Sequence, residues 1–180
     1  MNGACSSEQV GLFLAQLLPD QDDTAAEPSA QEAIDATLTM EQLIAAGGLR
    51  VEEEGTGAVV VPGCCAGLEN WREWAEVLRG QSPWLGHDPT PAVEVLPDRL
   101  RIWQDSEAPG GAVRVAAGFI DLQAVALPGL LREVQADLIA FLERVERWGQ
   151  QHELGDRGTA LVQMLDAHFH ISAPLDLPEA

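Results

Sequence analysis

One helix constrains this chain more than any other feature. Leu127, Leu131, Val134, Leu138, Phe141, Val145 and Trp148 recur at alternating spacings of four and three. Such a series falls on one face of a helix. The predicted span is about Pro128 to Gln151, with Pro128 at a favoured first-turn position. Its apolar stripe must be covered, and two coverings are open. The spacing is that of a coiled-coil seam, which allows a homodimer through the 131–148 helix. Leu130, Ile139 and Leu142 widen the stripe, as in a helix packed on a sheet, and this intramolecular packing is the favoured reading.

Upstream, the pattern alternates between helix and strand. Val10, Leu12, Phe13, Leu14, Leu17 and Leu18 offer one short apolar stripe that Pro19 ends, and an acidic stretch from Asp20 to Ser29 reads as a linker. A helix is predicted from about Ala30 to Ala46, stopped by Gly47-Gly48. Leu49–Glu52 and Ala58–Val61 form a hairpin through a glycine-containing turn. A helix from Gly67 to Arg79 places Leu68, Trp71, Trp74, Ala75 and Leu78 on one face. Ala92–Val95 and Arg99–Trp103 flank the turn Pro97-Asp98, and Val113–Val115 continues the alternation. A last short helix covers about Thr159 to His168.

The fold class is therefore α+β: an antiparallel sheet of about four or five strands, helices packed mainly on one face, and a long C-terminal helix. Residues 1–31 read as a peripheral segment and acidic linker, 32–171 as a single globular domain, and 172–180 as a loose acidic tail. A chain of 180 residues buries enough surface to need no metal or disulfide staple.

The charge is one-sided. There are 29 acidic and 10 basic residues, the basic ones all arginine, for a net charge of -19. Phosphate backbones and anionic membrane surfaces would be repelled, so neither nucleic acid nor membrane is an expected partner. A basic protein partner is, because complementary fields speed encounter. The absence of lysine and the abundance of alanine point to a GC-rich bacterial genome.

Cys5, Cys64 and Cys65 do not make a disulfide framework. Adjacent Cα atoms lie about 3.8 Å apart, below the disulfide window, so a reducing cytoplasm fits. Cys64 and Cys65 at a strand-to-helix turn read as small buried residues. A reactive thiol working with His87 is the alternative, and would make the chain a small hydrolase. A zinc site from Cys64, Cys65, His87 and the His168–His170 pair is disfavoured, because no CxxC or HxxxH unit delivers the ligands. No metal, cofactor or catalytic residue is assigned.

The most informative loop is Trp84-Leu85-Gly86-His87-Asp88-Pro89, where Gly and Pro fix an irregular path around a tryptophan and a His–Asp pair. The expected binding surface has Trp84 and Trp103 as apolar anchors, His87 beside them, and Asp88, Asp105 and Glu107 as rim acids. The order of helix, strands, helix, strands and long helix, with a tryptophan- and glycine-containing helix–loop segment ahead of strands, resembles small bacterial immunity proteins in order and composition. That resemblance implies a non-catalytic inhibitor that covers a basic surface on a toxin or enzyme.

Overall fold

The structure, a computed structural model, describes residues 1–18, 29–106 and 118–177. It divides into two units: Met1–Ala45 with Glu133–Ala173, and Ala46–Arg132 with Pro174–Ala180. The expected strand Val113–Val115, the linker 19–28 and Glu107 lie outside the described residues.

In the first unit two serines start helices. Ser6 Oγ accepts from the Gln9 amide while the Gln9 side chain accepts from the Ser6 amide, which opens α1 (Ser7–Gln16). Ser29 and Glu32 repeat this box at α2 (Ala30–Leu38), and the Ser29 donors hold the Glu32 carboxyl below its usual range. α2 stops at Leu38, well short of the expected Ala46. The amide and hydroxyl of Thr39 both donate to Ala36 O, at 3.1 and 2.7 Å, and use up the carbonyl that a further turn would need. Leu43 and Ala45 are therefore buried from non-helical chain, and Ile44 is exposed.

α3 (Leu127–Gln151) and α4 (Asp156–Phe169) follow later in the chain. Phe13 meets Phe141 edge-on at 5.1 Å, and Arg144 Nε donates to Cys5 O at 2.7 Å, so the N-terminal helix docks on α3. Arg157 grips Asp35 through two bonds of 2.6 and 3.1 Å, joining α4 to α2 and holding the Asp35 carboxyl below its usual range. On α3, Leu127, Leu131, Leu138, Phe141, Val145 and Trp148 are buried, as is Leu142. Leu130 and Ile139 are exposed, so the stripe is narrower than the sequence reading had it. A dimer on the 131–148 seam would have to uncover these buried side chains.

Among the described residues the second unit holds five strands, in two antiparallel sheets rather than one. β1 (Val51–Glu53) and β2 (Ala58–Val60) form a hairpin; β3 (Ala92–Val95), β4 (Arg99–Trp103) and β5 (Phe119–Gln123) lie in that order in a second sheet. Just past β2, the Gln104 side-chain amide takes both backbone groups of Val61, accepting from N at 2.9 Å and donating to O at 3.3 Å. A side chain stands there in place of a neighbouring strand. Val60, Val93, Leu100, Ile102 and Ile120 share one core with Trp74, Val77, Leu85, Leu127 and Leu131.

The segment Leu68–Arg79 is a 3₁₀ helix, where an α-helix was expected. A 3₁₀ helix has 3.0 residues per turn, so positions three apart lie in register. Leu68, Trp71, Trp74 and Val77 are spaced by three and all are buried. Gly80, at φ 80°, ends the run. The tail is not loose up to Leu177. Arg72 donates to Pro174 O, Arg79 pairs with Asp176 at 2.8 Å, and Leu175 and Leu177 pack on the core.

The outer face of the second sheet is charged and aromatic. Arg101 makes a two-pronged contact with Asp121 at 2.8 and 2.9 Å and lies over the Phe119 ring at 4.2 Å. Arg101 holds the Asp121 carboxyl below its usual value.

Phe141→Ala should destabilise the protein by about 3–5 kcal/mol in urea unfolding, while Val125→Ser, at an 87% exposed position, should change it by less than about 0.5 kcal/mol. The Asp121 carboxyl titrates below the unfolded value of about 3.9. Its contribution is therefore present above that value and lost as pH falls through the folded one. Asp121→Asn should lower the urea midpoint at neutral pH and flatten the acid side of the stability curve. An unchanged profile would refute this role.

Candidate functional site

The loop 84–89 is held chiefly by backbone hydrogen bonds. Gly63 N donates to Leu85 O at 2.8 Å; Cys64 N donates to His87 O at 2.5 Å, and His87 N donates back to Cys64 O at 3.0 Å. Cys64 and His87 are thus paired like strand residues although neither lies in a sheet. The two segments approach so closely that only glycines fit. A Cβ on Gly63 would stand 2.0 Å from Pro89 O, and one on Gly86 would stand 2.5 Å from Cys64 O. Gly86 also has φ 84°, in the region that favours glycine. The Asp88–Pro89 bond is cis.

This pairing turns the chemistry-bearing side chains outward. Cys64 and Cys65, expected to be buried, are both exposed. Cys65 has φ 64°, a left-handed conformation. In extended chain, neighbouring side chains point to opposite faces; here the two Sγ atoms lie 3.5 Å apart. The hydrogen bond and charge of Cys64 push the Cys65 thiol above its ordinary pKa. One ligand atom from each of Cys64, Cys65 and His87 lies within 4.8 Å of the others. His87 Nδ1 faces Asp88 Oδ2 at 3.3 Å.

Trp84 stands beside them, half exposed at 50%. Its amide donates to Glu73 Oε2 at 3.0 Å, its indole N–H donates to Cys65 O at 3.4 Å, and its ring lies 6.4 Å from that of His87. Of the expected surface, Trp84, His87 and Asp88 are therefore together and exposed. Asp105 is half-buried. Its neighbour Ser106 donates to Thr90 O at 2.7 Å, which draws that segment to the end of the loop.

Trp103 does not belong to this surface. It is 7% exposed, donates through its indole to Glu94 Oε2 at 3.0 Å, and packs against Phe119 at 5.0 Å. An anchor must be exposed before the partner arrives, and this one is already covered. His168 is engaged as well: its ring nitrogens lie 3.1 Å from the carbonyl oxygens of Met164 and Glu41, which occupies both ligand positions of the ring.

No protein-family model, curated protein or solved structure matches the chain. Among the described residues no helix is long and apolar enough to cross a membrane.

Sequence reasoning singled out neither Glu73, which accepts from the Trp84 amide, nor Gly63, which makes room for the loop. The signal for Gly63 was its place beside Pro62, between a strand and two cysteines. Gly63→Ala should destabilise the protein by about 1–3 kcal/mol and shift tryptophan emission as the Trp84 loop moves. Gly129→Ala, with nothing within 4 Å of the added Cβ, should be neutral or stabilising by up to about 1 kcal/mol. Equal effects of the two substitutions would refute the close-approach account.

Proposed function

We propose that the chain is a non-catalytic acidic module that binds a basic protein through the Trp84–Pro89 loop. In its sharper form it is a bacterial, cytoplasmic inhibitor of the immunity type, covering a basic surface on a toxin or enzyme. The observation that carries this reading is the posture of Trp84: half its surface is open, yet its amide and indole N–H are both fixed. A large aromatic held in advance loses little freedom on binding, which favours affinity. Asp88, with a side chain 94% exposed, supplies rim charge, and the net charge of -19 supplies the steering field.

The alternative is a small hydrolase using Cys64 or Cys65 with His87. A nucleophilic cysteine is activated by a lowered pKa. The Cys65 thiol is pushed the other way by its neighbour, which counts against Cys65 as the nucleophile.

The test is capture from the source organism's lysate, followed by kinetics on the captured protein. A basic partner should associate more slowly as salt rises, because ions screen surface charges beyond about 8–10 Å. Asp88→Asn should lower the on-rate and leave the off-rate nearly unchanged. Trp84→Ala should raise the off-rate by tenfold or more, as expected for an anchor worth about 2 kcal/mol. A captured partner that leaves wild type and Trp84→Ala at the same rate would overturn this reading.

A further inference from the structure

The thiols of Cys64 and Cys65 have no part in the binding reading above, and with His87 they form a cluster whose geometry has a use of its own. Two sulfurs and an imidazole nitrogen converge at the surface from two backbone segments. The segments are locked together by the reciprocal Cys64–His87 pairing and by Gly63 N on Leu85 O. The left-handed backbone at Cys65 swings its side chain to the same side as that of Cys64. The sequence has no CxxC unit, and in extended chain adjacent cysteines would diverge; at this turn they do not.

We propose that Cys64, Cys65 and His87 form a three-ligand site for zinc, with the fourth coordination position open to solvent.

The distances fit that ion. A tetrahedral centre with Zn–S bonds of about 2.3 Å places its two sulfurs about 3.8 Å apart, and here they are 3.5 Å apart. The third ligand atom lies within 4.8 Å of both, so the site closes on the ion by drawing that atom inward. Two thiolates and one neutral imidazole are a borderline-soft donor set, suited to zinc over calcium or magnesium. The pair of thiolates carries two negative charges, which the divalent ion neutralises. Binding releases the thiol protons. Asp88 Oδ2 lies 3.3 Å from His87 Nδ1, as a carboxylate lies behind a ligating histidine; with zinc on Nε2 it would fix the tautomer. Three protein ligands and an open fourth position are the pattern of zinc sites that bind or activate a further group.

The experiment uses the whole chain, reduced and freed of metal by chelator, with zinc titrated in competition with a chromophoric chelator. Wild type should bind one zinc per chain. Cys64→Ser, Cys65→Ser and His87→Ala should each weaken binding by at least about tenfold, and Asp88→Asn should weaken it by about 10–100-fold. Cobalt substitution gives a second readout, the thiolate-to-cobalt charge-transfer absorption and tetrahedral visible bands, which Cys64→Ser should remove. Far-ultraviolet circular dichroism establishes that each variant is folded. Absence of stoichiometric zinc in wild type overturns the proposal. So does equal affinity in wild type and folded Cys64→Ser, which would place the metal on surface carboxylates. No partner protein is needed, so failure here leaves the Trp84 reading untouched.

Discussion

The close approach of Gly63 to the backbone of His87 and Pro89 is the constraint on which the loop region depends. Remove the room that glycine leaves there, and Cys64 cannot pair with His87. Without that pairing the thiols and the imidazole no longer converge, and the indole N–H of Trp84 loses its acceptor on Cys65. The segment is held through main-chain bonds, with Leu85 buried and the side chains of Trp84, His87 and Asp88 presented to water. That arrangement suits recognition, because polar and aromatic groups are presented without having to order themselves on contact.

The arginines explain why the surface is so strongly negative in effect. Arg50, Arg79, Arg99, Arg101 and Arg157 each face a carboxylate of the same chain. Arg72 and Arg144 donate to backbone carbonyls. These seven arginines are engaged within the chain, and 29 acids stand against only 10 basic residues in the sequence. A field of one sign follows, and its reach is set by ionic strength rather than by any single pair.

Much of the architecture was legible because it rests on local rules. The 3-4 spacing from Leu127 to Trp148 marked the long helix, and the hairpin around Pro97-Asp98 appears with the expected strands. What failed did so for nonlocal reasons. Thr39 ends α2 by back-bonding to Ala36, which no apolar count reveals. The alternation of Ile120 and Leu122 with Phe119, Asp121 and Gln123 was a readable strand signal that the sequence reading passed over. At the site, the Trp84–Pro89 loop stood out by composition. The nearness of Cys64 and Cys65 to His87 did not, because it depends on a left-handed residue and on pairing across 23 positions of chain. Trp103 looked like an anchor because a tryptophan at a strand end reads the same whether it is exposed or covered.

The 3₁₀ run from Leu68 to Arg79 sets an arithmetic for what this segment can tolerate. Each residue there advances about 120° around the axis and about 2.0 Å along it. One inserted residue would swing everything beyond it by a third of a turn, carrying Trp74 and Val77 off the core and setting charged neighbours in their place. Three inserted residues would restore the facing and lengthen the segment by about 6 Å. Length variation in this segment is therefore quantised in threes, whereas an α-helix, with 3.6 residues per turn, has no such exact step.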